Sequence, residues 1–348
     1  MDIDLNALRQ IERDYDIPVS ELVEIIEASI VAAFLKSTRT NDPARAEFDP
    51  KTGKVSIYLP DTEERDDKGR LLSELPDGTK IPEKDVTPAN FGRVAANAAK
   101  QVIVNRIKGI SDENTYGVFS AKLGDLVTGE IQQGPRAHMV YVKIGDVEAV
   151  MPPEEQVPGE EYTHGKRMRF IVTKVDKGGR GQVHINVSRT HQTLIRKLFE
   201  LEVPEVANGQ VEIVQVAREA GQRSKIAVRT KIAGLNAKGA CIGELGQRVR
   251  AVSAELNEEK IDIVDYSDDI ATFVANALSP AKVSAAFIVN EKPVPGAAKE
   301  EEAWPKVRVL VPEYQLSLAI GKEGQNSRLA ARLARAKIDI MADEVEEE

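Results

Sequence analysis

The chain has 348 residues, with 47 Lys/Arg against 56 Asp/Glu and a net charge of −9. At 42% hydrophobic and 30% charged residues it has the composition of a folded, multi-module protein rather than a disordered one. The single cysteine, Cys241, excludes an internal disulfide framework and a Cys-based zinc site, and four histidines (His138, His164, His184, His191) leave little for a His-rich metal centre. No metal and no cofactor are expected. The opening Met1-Asp2-Ile3-Asp4 lacks the basic start of a signal peptide, and the longest apolar stretch, Ile25 to Leu35, is too short to cross a bilayer. A cytoplasmic protein with no membrane partner is expected.

Charge is unevenly spread. Residues 1–87 hold 12 basic and 20 acidic residues, whereas residues 306–337 hold seven bases against Glu313 and Glu323. An acidic front and a mildly basic rear suit two kinds of partner, one of them polyanionic.

The first 36 residues have helical periodicity, with Leu22, Ile25, Ile26, Ser29, Ile30 and Ala33 on one face and Ser20 as N-cap. Strands are predicted over Ala44–Phe48 and Lys54–Leu59, around the turn Asp49-Pro50-Lys51-Thr52-Gly53. Residues 61–78 read as a charged loop; its acids Asp61, Glu63, Glu64, Asp66 and Asp67 are better explained that way than as a Mg²⁺ site. A second long helix starts near Thr87-Pro88 and runs to about Lys108. From Leu123 the period becomes two: Asp125–Gln132, Met139–Ile144, Val147–Met151, Arg167–Val175 and Gln182–Val187 are five short strands, which suit a small OB-type barrel.

The rest of the chain repeats itself. Ile242-Gly-Glu-Leu-Gly246-Gln247 returns as Ile320-Gly-Lys-Glu-Gly324-Gln325, and Lys260-Ile-Asp-Ile263 as Lys337-Ile-Asp-Ile340. Each copy reads helix, two strands, helix, GxxG, helix, strand, with first helices over 193–201 and 268–278. Glycine at both ends of such a turn allows a ligand backbone to press close, and the helix that follows offers unpaired N–H groups and a positive dipole end. KH modules clamp about four nucleotides of single-stranded RNA in this way. The candidate RNA-binding residues are therefore Ile242, Gly243, Glu244, Leu245, Gly246, Gln247, Arg248 and Lys238 in the first copy. In the second they are Ile320, Gly321, Lys322, Glu323, Gly324, Gln325, Asn326, Arg328 and Arg332. Ile242 and Ile320 would wall a base groove. Arg328, Arg332 and Arg335 share a helical stripe that reads either as a solvated face or as a phosphate track, and Arg250 joins Arg248 in the same choice. On the barrel, alternation turns Tyr141, Lys143 and His184 outward, with Arg136 and Arg180 in nearby turns; Arg136, Tyr141 and His184 are the candidates there. Cys241 reads as a small buried hydrophobe.

Several stretches resemble the bacterial NusA family of transcription elongation factors: Val203-Pro-Glu-Val206, the run from Ala217 to Val228, Gly239-Ala-Cys-Ile-Gly243, Lys260 to Val264, Leu316 to Asn326, Arg328-Leu-Ala330 and, nearer the front, Phe91 to Ile103. The resemblance implies a multidomain α+β protein: a mixed helical and αβ N-terminal domain (1–108), a linker (109–122), a five-stranded S1-type OB barrel (123–190), two tandem type II KH domains (191–267 and 268–342) and an acidic tail (343–348). It implies no catalysis, and a monomer that docks on core RNA polymerase and holds single-stranded nascent RNA, ribosomal RNA leaders included. It further implies work with NusB, NusE and NusG in pausing, termination and antitermination. Asn236-Ala-Lys238 and Arg335-Ala-Lys337 depart from the family pattern, and a short form without acidic C-terminal repeats is expected. The competing readings are an RNA-processing enzyme and an RNA chaperone. No Walker A, GxSxG or HExxH motif supports the former.

Overall fold

A computed structural model describes residues 5–49, 52–75, 78–88, 91–179, 182–290 and 304–343. The chain forms two compact units, residues 1–117 with 178–183, and residues 118–177 with 184–348.

The first unit opens with two helices where one was expected. α1 spans Leu5–Tyr15 and α2 Val19–Thr38; they break at Asp16, held at φ 54°, and at Pro18, which takes the N-cap position expected of Ser20. Leu22, Ile26, Ile30 and Phe34 bury one face of α2 against Phe48 and Ile57 of the sheet β1 (Arg45–Phe48), β2 (Val55–Pro60) and β3 (Glu83–Asp85). Glu27 looks misplaced in that apolar stretch, but its carboxylate accepts the Phe48 N–H at 2.8 Å. β3 is an addition to the expected strands, because Glu-Lys-Asp carries no strand signal. α3 runs from Gly92 to Ser120, so the linker expected over 109–122 is helical for most of its length.

In the second unit, β4 (Leu126–Gln132), β5 (Val140–Ile144), β6 (Val147–Met151), β7 (Arg167–Lys177) and β8 (Val183–Ser188) close into a barrel in the order β4-β5-β6-β8-β7. Val127, Ile131, Val142, Ala149, Phe170, Val172, Ile185 and Val187 are buried, as period-two alternation requires.

Two αββααβ modules follow. The first comprises α4 (Thr193–Glu202), a short α5 (Pro204–Ala207), β9 (Val211–Glu219), β10 (Arg223–Thr230), α6 (Ala237–Ile242), α7 (Gln247–Glu255) and β11 (Lys260–Asp265). The second comprises α8 (Ile270–Ala277), β12 (Ala285–Asn290), β13 (Lys306–Val311), α9 (Glu313–Ile320), α10 (Gln325–Ala334) and β14 (Lys337–Ala342). In each sheet the last strand runs parallel to the central one and the first antiparallel to it.

The three parts of this unit are joined by buried polar contacts as well as apolar ones. Between barrel and first module, the fully buried Arg189 pairs with Glu160 through both Nε and Nη2, and donates to the Glu255 carbonyl at 2.8 Å. Burial works against its charge, but the Glu160 carboxylate outweighs that and holds the guanidinium above its usual pKa. Between the modules, Ala217, Ala227 and Val264 of the first sheet share one core with Phe273, Val274 and Ala277 of α8 and Leu329, Ala330 and Leu333 of α10. Lys225, buried on β10, reaches across to the Ser279 carbonyl at 2.6 Å while pairing with Asp262 at 2.8 Å.

Candidate nucleic-acid interface

Both GxxG loops have the same backbone. Gly243 sits at φ 73°, ψ 176° and Gly321 at φ 77°, ψ 170°, a region essentially reserved for glycine. Gly246 and Gly324 follow at φ 77° and 72°. Between them Leu245 (φ 49°) and Glu323 (φ 54°) are left-handed. In each loop the second glycine N–H donates to the first glycine's carbonyl at 3.1 Å, closing a single 3-10 turn. The next helix begins at once, α7 at Gln247 and α10 at Gln325, so its first-turn N–H groups lie beside the turn without intrahelical acceptors.

The loops are held from below by the residue two positions past the second glycine. Arg248 packs its aliphatic stem under Gly243, where a Cβ would come within 2.6 Å of it, and donates to the Ala240 carbonyl at 2.7 Å and to Glu205 at 2.8 Å. Asn326 does the same under Gly321 and donates to the carbonyls of Leu318 and Ala319 at 3.3 and 3.0 Å. Asn326 is fully buried, so the expectation that it faces RNA is corrected: it supports the loop. Arg248 has the same supporting contacts.

Above the loops the surface is open. Leu245 is 89% exposed, and Glu244, Gln247, Lys322 and Glu323 are exposed beside it. Along α9, Tyr314 and Leu318, four residues apart, form an exposed apolar strip, and Ile320 is exposed separately at the helix end where the second loop begins, whereas Ile242 is half-buried against the first module's core. Lys238, on the first turn of α6, borders a cavity of about 270 Å³ with Asp265 and Asn276.

Part of the basic stripe behind the second loop is engaged within the protein. Arg328 forks onto Glu219 of β9 at 2.6 and 3.2 Å, Arg332 lies 3.8 Å from the same carboxylate, and Gln325 donates to it at 3.0 Å. Arg328 in turn holds the Glu219 carboxyl below the usual carboxylate range. Nothing local in the sequence announces Glu219, which lies more than a hundred residues before its partners. Lys225 was equally hidden; burial pulls its ammonium pKa down despite Asp262.

On the barrel, Arg136 and His184 are exposed as expected. Tyr141 is not: only 8% of it is exposed, and its ring lies flat over Gly134, where any side chain would strike it. The alternation rule fails there because a glycine turn covers the outer face of β5. Arg180 lies outside the described residues. Cys241 is buried, and burial pushes its thiol pKa up to about 11, which makes it inert. Among the described residues no cluster of His, Cys, Asp and Glu could hold a metal ion, and no helix is long and apolar enough to cross a membrane.

The sequence description of the NusA N-terminal domain matches residues 5–113, that of the NusA-like first KH domain residues 189–266, and that of the NusA-like second KH domain residues 270–348. The chain belongs to the NusA family. It is 51% identical to the transcription termination/antitermination protein NusA of Mycobacterium tuberculosis, over 99% of this chain and 94% of that one. It is 41% identical to the same protein of Bacillus subtilis, over 97% and 90%, and 32% identical to that of Thermus thermophilus, over 94% and 87%. The NusA family consists of transcription termination/antitermination factors with RNA-binding KH domains, not enzymes.

Proposed function

We propose that this chain acts at the elongating RNA polymerase, docking by its acidic N-terminal region while the barrel and the two KH modules hold the emerging single-stranded transcript. One observation carries the RNA half of this reading: the two GxxG loops share torsions, hydrogen bonding and a supporting residue, and each ends at a helix N-terminus under exposed variable positions. Two anion sites of one geometry in one compact unit suit a ligand with a repeating phosphate backbone.

In this reading Gly243, Glu244, Leu245 and Gly246, and Gly321, Lys322, Glu323 and Gly324, meet the RNA backbone, with Gln247 and Lys238 flanking the first loop. Ile242, Ile320 and the α9 strip contact bases. Arg136 and His184 extend contact to the barrel. Arg248, Asn326, Gln325 and Arg328 hold the loops and the junction. Residues 1–108 form the polymerase-binding domain, 123–190 the S1-type barrel, 191–267 and 268–342 the KH domains, with 343–348 as an acidic tail. The protein works in the cytoplasm as a monomer, with NusB, NusE and NusG when antitermination on ribosomal RNA leaders is required.

The test is residue-level crosslinking of the full chain in a stalled elongation complex. Crosslinks from residues 1–108 to polymerase and from both GxxG loops to the transcript support the division of labour. Transcript crosslinks confined to the N-terminal residues contradict it.

A further inference from the structure

Away from both GxxG loops, a cleft of about 450 Å³ opens between β9, the C-terminal end of α10 and the start of β13. Its volume falls within the range of small-ligand sites. Trp304, Arg332, Arg335, His191 and Gln215 line it.

Three features of this cleft point to one kind of ligand. Trp304 stands on a firm base, since the next residue, Pro305, accepts the Lys337 N–H at 2.8 Å where β13 meets β14. Its indole N–H is buried and has no acceptor among the described residues. The cation beside it is not cancelled: Arg332 is 48% exposed and lies 3.8 Å from Glu219, whose carboxylate is already forked onto Arg328. Another lining arginine, Arg218, differs, because Glu259 holds it at 2.9 Å in a buried pair. An aromatic platform flanked by guanidiniums, with amides such as Gln215 nearby, is the arrangement that takes a stacked base and its phosphates.

The geometry points to this cleft as a further binding site for single-stranded RNA, in which one base stacks on Trp304 and the adjoining phosphates pair with Arg332 and Arg335. Arg332 lies two helical turns beyond Gly324, about 12 Å along α10, so a strand held at the second loop reaches the cleft within a few nucleotides. The site rests on the RNA-binding reading above but not on the loops themselves.

Trp304 is the only tryptophan of the chain, so its emission reports on the cleft directly. The full chain is titrated with a fluorescently labelled ten-nucleotide single-stranded RNA of adenosines, following label anisotropy and Trp304 emission together, and separately with AMP. The oligonucleotide quenches Trp304 saturably, both in the natural chain and in the loop variant Leu245→Asp/Lys322→Asp. Trp304→Leu weakens the oligonucleotide about tenfold, and Arg332→Gln weakens it with a shallower salt dependence. Binding seen by anisotropy with Trp304 emission unchanged, or full affinity in Trp304→Leu, overturns the site while leaving the loops intact. Absence of any oligonucleotide binding overturns the RNA-binding reading and the site with it. Quenching by AMP but not by the oligonucleotide overturns the assignment to a strand. The emission measurement on the natural chain needs no variant, so a misfolded mutant does not spare the proposal.

Discussion

At Gly243 the backbone torsions and the Arg248 stem beneath it each exclude a side chain. Gly243→Ala therefore forces the loop to open as well as straining it, and costs about 1–3 kcal/mol; thermal unfolding and RNA affinity should both fall, whereas unchanged melting contradicts the supporting role of Arg248. Lys225 is a different case, a buried cation whose two bonds lie on opposite sides of the module junction. Lys225→Ala leaves the Ser279 carbonyl and part of the Asp262 carboxylate unsatisfied, and should lower unfolding stability by about 3 kcal/mol. A calorimetric loss well below 1 kcal/mol would mean that water replaces the ammonium. Neither Lys225 nor Asn326 reads as structural in the sequence, because a polar side chain is assigned to the core only once its distant partners are known.

The two modules are built alike yet used differently. Lys225 faces Ala217 and Asp262 across its sheet, and Arg308 faces Phe287 and Asp339 in the same register. The first sheet is covered by α8 and α10, whereas the corresponding face of the second leaves Phe287 and Met341 exposed. Ala227→Leu should thus overpack the junction and cost about 1–3 kcal/mol, while Phe287→Ser stays within about 0.5 kcal/mol; equal losses on unfolding would contradict the asymmetry. The elements themselves were largely legible: strand alternation gave all five barrel strands, and the repeated GxxG and Lys-Ile-Asp-Ile segments gave both modules. What escaped was set by tertiary context. The break at Asp16 needs a left-handed residue before Pro18, α3 continues beyond Lys108 without a strong apolar stripe, and the glycine turn over Tyr141 overrides the alternation of β5.

Across the second unit, barrel and modules are joined by charge as well as by core. Glu219, Asp269 and Asp339 have carboxyl pKa values lowered in the fold by Arg328, Thr272 and Arg308 respectively. A pKa lower in the folded than in the unfolded state gives stabilisation that is full above the usual carboxylate range and lost as pH falls through it. Melting temperature should therefore decline on acidification toward about pH 3, and less steeply in Glu219→Gln; a melting temperature that rises over the same interval would reverse the sign. With Arg328 occupied at the junction, the RNA backbone is left to the two GxxG turns and, beyond the second of them, to Arg332 in the cleft beside Trp304. The most direct measurement is the affinity of the full chain for a single-stranded RNA at several salt concentrations, compared with Leu245→Asp/Lys322→Asp. The exposed side chains there carry no structural load, so the variant should fold normally, bind more weakly and lose affinity less steeply with salt. A folded variant with unaltered affinity and salt slope would show that the backbone lies elsewhere.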